Sequence, residues 1–102
     1  MLSCAACTCS AEPGKLYLAT AWSSIPHPDK VATGGEDALF AASHAVGIAD
    51  GVGGWASQGI DAGQISRALM AAAEAIAARA PREHTALELL QVSDVHARSS
   101  GA

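Results

Sequence analysis

Gly34-Gly35-Glu36-Asp37-Ala38-Leu39-Phe40-Ala41-Ala42-Ser43-His44-Ala45-Val46-Gly47-Ile48-Ala49-Asp50-Gly51-Val52-Gly53-Gly54-Trp55 is the stretch that decides the fold. It holds two short apolar runs, Ala38 to Ser43 and Val46 to Ala49, separated by His44-Ala45. The spacing predicts an antiparallel hairpin turning at His44-Ala45, although that pair is not the favoured Asn-Gly type. In this register Ser43 faces Val46, Ala41 faces Ile48, Leu39 faces Asp50 and Asp37 faces Val52. Glu36 and Asp37 then enter the hairpin at the end where Asp50 leaves it. Diagonal neighbours across strands lie about 7–8 Å apart, so the three carboxylates can converge.

Carboxylates that close repel one another, and the nearest basic residue in sequence is Lys30. Two readings follow. One is a solvated acidic loop capped by glycines. The other is a divalent-cation site, because carboxylate and carbonyl oxygens are the ligands that Mg²⁺ and Mn²⁺ prefer. Gly51, Gly53 and Gly54 would let the backbone approach a ligand closely. A dinucleotide fingerprint also fits formally, as Gly51-Val52-Gly53-Gly54-Trp55-Ala56 with Glu74 about 20 residues on. Asp50 would oppose the pyrophosphate, and Ser57-Gln58-Gly59-Ile60-Asp61 separates the glycines from the next helix, so that reading is set aside.

Downstream, Asp61 is placed to cap a helix through the Gln64 N–H, with Gln64 as a capping-box partner. Ile65, Leu69, Ala72, Ile76 and Ala80 recur at helical spacing as one apolar stripe, and Pro81 ends the helix. A second helix is expected from Thr85, with Glu88 as its capping-box partner, through Leu87, Leu89, Leu90, Val92 and Val95. Upstream, residues 16–23 read as a strand. The prolines and glycines of Ile25-Pro26-His27-Pro28-Asp29-Lys30 and Thr33-Gly34-Gly35 mark a surface connection. Residues 1–15 read as a disordered, loop-like segment.

Composition limits the rest. The chain has 102 residues, 50% hydrophobic but only 4% aromatic, so its core contains few large side chains. The net charge of −4, with six Lys and Arg, lacks the basic footprint of a nucleic-acid binder. No apolar run reaches the roughly 18 residues needed to span a bilayer, so no membrane partner is expected. Cys4, Cys7 and Cys9 have no distant partner for a disulfide framework. They read as reduced thiols, a metal clip being the rival. With no secretory pattern at Met1, an intracellular setting is expected, in the cytosol or an organelle interior. His27, His44, His84 and His96 read as structural or solvated, and Trp55 as a packing anchor.

Gly34-Gly35-Glu36-Asp37-Ala38 and Val46-Gly47-Ile48-Ala49-Asp50-Gly51-Val52-Gly53-Gly54-Trp55 together resemble the metal-dependent serine/threonine phosphatases of the protein phosphatase 2C (PPM) type. His27-Pro28-Asp29-Lys30 and Ser66-Arg67-Ala68-Leu69-Met70 are similar to its Ptc7-like branch. The resemblance covers roughly Leu16 to Ile76. It implies a β-sandwich flanked by helices, two Mn²⁺ or Mg²⁺ ions, and phosphoserine or phosphothreonine proteins as substrates. It also implies that Asp50 bridges the ions, that the Gly51 carbonyl binds one of them, and that Glu36 and Asp37 are the acidic pair beside them. Val52 stands where many members have a histidine. Ala32 stands where many have a phosphate-contacting arginine, with Lys30 as the candidate substitute. Later metal-binding aspartates of the family have no counterpart here, and Asp94 does not match them.

The expectation is therefore an α+β chain, a truncated partial PPM-phosphatase fold in which two helices cover an antiparallel sheet. Residues 16–102 would form the N-terminal part of the phosphatase domain. The alternative is a catalytically inactive fragment.

Overall fold

A computed structural model describes residues 3–6 and 14–99 of the chain. Its elements are strands β1 (Ser3–Ala6), β2 (Ala21–Ser24), β3 (Ala38–Ala41) and β4 (Val46–Ala49), then helices α1 (Ala62–Arg79) and α2 (Ala86–Ser99). The architecture is mixed, with small antiparallel pairing and two helices. It consists of two separate two-stranded sheets, β1 with β2 and β3 with β4.

The expected hairpin forms, but its turn sits one residue earlier. Ala38 pairs with Ala49, Leu39 with Ile48, Phe40 with Gly47 and Ala41 with Val46. The Ala42 N–H donates to the Ala45 carbonyl at 2.8 Å, which leaves Ser43-His44 at the tip. Neither tip residue has positive φ, so the turn is not one of the primed types that set register in isolated hairpins. Tertiary bonds hold it instead. The Leu18 N–H donates to the Ser43 carbonyl at 2.6 Å, and His44 Nε2 lies 3.0 Å from the Ala77 carbonyl of α1. A carbonyl can only accept, so Nε2 carries the proton there. His44 is thus a structural bond between turn and helix.

The core is small and sits between β3 and α1. Phe40, Met70, Ala73 and Ala77 are its buried centre, with Ala38, Ala42, Ala45, Ala49, Leu69 and Leu89 packed around them. Phe40 fills the space above its cross-strand partner: a Cβ on Gly47 would stand 2.5 Å from Phe40 Cε1 and 3.3 Å from Met70 Sδ.

Helix α1 buries Ala62, Gly63, Ser66, Met70, Ala72, Ala73, Ile76 and Ala77. Ala72 and Ile76 belong to the expected stripe, but the buried face is centred one residue round from it, and Ile65 is exposed. Small side chains govern this choice, since they allow close approach of the helix to its neighbours. At the N-terminus a Cβ on Gly63 would lie 2.8 Å from the Gly35 carbonyl oxygen. Asp61 does cap the helix, but its carboxylate accepts from the Gly63 N–H at 2.9 Å rather than from Gln64. The helix ends at Ala80, before Pro81, as its sequence requires.

Helix α2 starts on the expected reciprocal cap. The Thr85 N–H donates to Glu88 Oε2 at 3.1 Å, and the Glu88 N–H to Thr85 Oγ1 at 3.2 Å. It packs on α1 through Ser93 and Ala97, with Leu89 half-buried, while Leu87, Leu90, Val92 and Val95 stay exposed.

The strand expected over 16–23 is shorter and later, at Ala21–Ser24. Leu16 is exposed and its carbonyl accepts from the Arg82 guanidinium, so this part of the chain is tied to the segment after α1 instead of to a neighbouring strand. β2 pairs with Ser3–Ala6, which lies inside the segment expected to be loop-like. The thiols of Cys4, Cys7 and Cys9 lie outside the described residues, and so does the metal-clip alternative. No helix among the described residues is long and apolar enough to cross a membrane.

Candidate functional site

The outer end of the β3–β4 hairpin opens into a cleft of about 200 Å³ lined by Lys30, Glu36, Asp37, Asp50, Gly51 and Gly53, together with Ile25 to His27. All four residues singled out from sequence are there. The turn shift moves the register by two, so extending the observed pairing one step outward sets Asp37, not Leu39, opposite Asp50. One further step sets Glu36 opposite Gly51.

Each member is placed by an identifiable local cause. A 3₁₀ turn, Pro28–Thr33, begins at His27, whose Nδ1 accepts from the Asp29 N–H at 3.1 Å. It ends on Gly34 in the left-handed region, φ 82°, and the Gly35 N–H returns to the Lys30 carbonyl at 3.0 Å. This turn sets Lys30 against Glu36: Nζ is 2.8 Å from Oε2, and the Glu36 side chain is only 12% exposed. A buried carboxylate is costly without a partner, and the ammonium provides one. Gly51 is required by close approach, since a Cβ there would stand 2.3 Å from the Glu36 carbonyl oxygen and 2.6 Å from its Cβ. The Gly51 N–H also donates to Asp37 Oδ1 at 3.1 Å, which fixes the peptide plane between Asp50 and Gly51. Asp50 is exposed at the end of β4.

The cleft therefore offers a carboxylate at Asp50, a second at Asp37 and the backbone oxygen of Gly51. These are hard oxygen donors, of the kind that suits Mg²⁺ or Mn²⁺. They do not close a cage. Among the described residues no three of His, Cys, Asp and Glu come together closely enough to hold a metal ion. The expected gathering of three acids is corrected in two respects: Glu36, Asp37 and Asp50 do not come together as a metal-holding group, and Lys30 already pairs with Glu36. The donor chemistry fits a divalent cation and the donor count is partial.

From sequence Lys30 reads as the nearest basic residue, six positions before Glu36, and as a candidate substitute for a phosphate-contacting arginine, but not as the partner of Glu36. The signal was the intervening Gly34-Gly35, since two consecutive positive-φ residues fold that spacing back on itself. His27 serves as a cap, and His84 Nδ1 lies 3.9 Å from Glu88 Oε2 on α2. Trp55 opens a second 3₁₀ turn, Trp55–Gln58, and is 40% exposed, so it is less of an anchor than its composition suggested. That turn, and not a helix, follows the glycines, which agrees with setting the dinucleotide fingerprint aside.

No protein-family model matches the chain. Individual proteins do. Probable protein phosphatase 2C 55 of Arabidopsis thaliana is 69% identical over 48 residues, 45% of this chain and 10% of that protein. Probable protein phosphatase 2C 26 of Arabidopsis thaliana is 50% identical over 60 residues, 56% of this chain and 20% of that protein. Probable protein phosphatase 2C 71 of Oryza sativa subsp. japonica is 54% identical over 56 residues, 54% of this chain and 12% of that protein. Among solved structures, the X-ray structure of the photosystem II phosphatase PBCP matches with a TM-score of 0.61 and 28% identity, over 91% of this chain and 31% of that one. The matches thus span at most a fifth of these three relatives and about a third of the solved chain. The relatives are named protein phosphatase 2C and the solved structure is that of a phosphatase, and it is these proteins that the chain resembles over the residues matched.

Proposed function

We propose that this chain contributes the first half of the metal site in a protein serine/threonine phosphatase of the 2C type. The observation that supports it most is the hairpin end itself. Asp50 and Asp37 face one cleft, and the Gly51 backbone lies so close to Glu36 that only glycine fits. In this reading Asp50 and the Gly51 carbonyl would hold Mn²⁺ or Mg²⁺, with Glu36 and Asp37 beside them. Bound there, a divalent cation would neutralise charge on a phosphoryl group and acidify water, and two-ion sites do this for both attacking and leaving oxygens. The chain's own part is to fix the donors: Asp37 holds the Gly51 amide, and the hairpin register holds Asp37 opposite Asp50. Substrates would be phosphoserine and phosphothreonine proteins. Val52 and the His27–Lys30 segment support the Ptc7-like branch.

The test is a graft. The 48 matching residues of Arabidopsis phosphatase 2C 55 are replaced by those of this chain, and Mn²⁺-dependent hydrolysis of a phosphopeptide is measured. The graft should retain turnover, and Asp50→Asn in it should lower kcat by at least about 100-fold, the scale of losing a charge-stabilising group. Unchanged turnover in Asp50→Asn would refute the assignment. The partial donor count favours a second statement, that the 102 residues alone have no turnover. Mn²⁺-dependent release of nitrophenol from an aryl phosphate by the purified chain would contradict it.

A further inference from the structure

We infer that the outer edge of β4 is a self-association site, on which a second copy of this chain adds its own β4 antiparallel about a two-fold axis at Gly47. The inference is independent of the metal-site reading above and starts from the hairpin ladder. In an antiparallel pair, successive residues direct their backbone N–H and C=O alternately toward the partner strand and away from it. The bond from the Ala42 N–H to the Ala45 carbonyl fixes that alternation: Ala45, Gly47 and Ala49 bond toward β3, while Val46 and Ile48 direct theirs outward. Among the described residues β3 is the only strand that pairs with β4, so those outward groups form an open edge. The same two residues carry exposed apolar side chains, Val46 at 54% and Ile48 at 79%. An edge that is unpaired, apolar and without charge is a template for another strand. There is room for one: a cleft of about 370 Å³ is lined by Gly47 and Ile48 of β4 and by Leu89 and Leu90 of α2, with Phe40 and Met70.

The strand is its own complement. A two-fold axis at Gly47 sets Val46 opposite Ile48 of the second copy, and Ile48 opposite Val46 of the second copy. Both are outward-bonding residues, so each pair exchanges both of its backbone hydrogen bonds, and β-branched side chains meet on one face. Where the strands come closest, between those two pairs, glycine stands against glycine and no side chain obstructs the approach. Charge agrees with this register. Asp50 falls opposite His44 of the second copy, and the two Asp50 carboxylates are about six residues apart along the strands, roughly 20 Å and beyond the screening length of about 8 Å. A slip of register toward Asp50 would bring those charges together, so the sequence opposes it. Each copy uses its β4 edge once, so association closes at two. A four-residue edge buries less than the roughly 1,200 Å² of a stable interface, so the dimer is a weak one, populated at concentrations on the order of 100 µM.

The experiment is sedimentation equilibrium of the full 102-residue chain from about 5 to about 500 µM, with folding followed by circular dichroism. The mass should rise toward twice that of the monomer and no further. Val46→Lys with Ile48→Lys sets like charges across both pairs and should keep the chain monomeric throughout. Val46→Lys with Ile48→Glu removes the same apolar surface but sets opposite charges across both pairs, and it should restore the dimer. Val95→Glu, on the exposed side of α2, should leave the mass curve unchanged. A chain monomeric at every concentration overturns the proposal, and so does a mass that climbs past the dimer. An opposite-charge variant no more associated than the like-charge one overturns the strand register, and loss of the dimer on Val95→Glu moves the contact to α2 and overturns it equally. Should the like-charge variant fail to fold, Ile48→Lys alone, at a side chain 79% exposed, takes its place and should likewise be monomeric.

Discussion

Two glycines two positions apart in the sequence, Gly51 and Gly53, stand in different steric settings, and that difference can be measured. An added Cβ at Gly51 meets backbone, the Glu36 carbonyl oxygen at 2.3 Å, which cannot swing away as a side-chain tip can. At Gly53 the nearest atoms are Lys30 Nζ at 3.8 Å and Glu36 Oε2 at 3.9 Å, ordinary contact distances. Gly51→Ala should therefore part the two strand ends and cost about 1–3 kcal/mol, the range for forced overpacking. Gly53→Ala should stay within about 0.5 kcal/mol, as surface changes usually do. Urea midpoints of the two variants check this, and equal midpoints would mean that the Gly51–Glu36 contact carries no constraint. Gly47 belongs with Gly51 in kind but not in degree, because the atom it would meet is a Phe40 ring carbon.

Among the elements, those with local rules were legible and those set by tertiary contact were not. The Thr85–Glu88 cap, the Asp61 start and the Pro81 stop depend on residues within one turn of chain, and all three are present. The hairpin was legible as a hairpin because its apolar runs are separated by so little chain. Its register was not, because the bonds that hold the turn come from Leu18 and Ala77, far away in sequence. The stripe on α1 was displaced for a similar reason. Periodicity weights Ile65 and Leu69, whereas packing favoured Gly63, Ser66, Ala73 and Ala77, whose small size lets the helix sit close to Gly35 and β3. The acidic residues of the site were readable from their spacing, but the neutralisation of Glu36 needed the fold of Pro28–Thr33. A prediction belongs at this scale: Thr85→Ala removes one arm of the α2 cap and should lower stability by about 1 kcal/mol. Thr85→Ser should retain it. A thermal scan followed at 222 nm separates them, and identical midpoints for Ala and Ser would show that the cap contributes nothing.

Taken whole, the molecule leaves much apolar surface uncovered. Two elements carry much of that surface among the described residues. On the hairpin, Val46 is 54% and Ile48 79% exposed, and on α2, Leu87 is 64% and Val95 68% exposed. Isolated apolar residues on a surface are ordinary, but contiguous faces of this kind mark interfaces or association hazards. The core that opposes them is one phenylalanine, one methionine and a set of alanines, which bury little area to stabilise the pairing. The purified 102-residue chain should therefore bind a hydrophobic dye such as ANS strongly and sediment with a mass that rises with concentration. Charge on the exposed faces should suppress both: Ile48→Glu together with Val95→Glu, neither of them in the core cluster, should reduce dye fluorescence several-fold and favour the monomer. A chain that is monomeric and dark to the dye without those changes would mean that its faces close over one another, and that the open arrangement of hairpin and helices is not the one it keeps in solution.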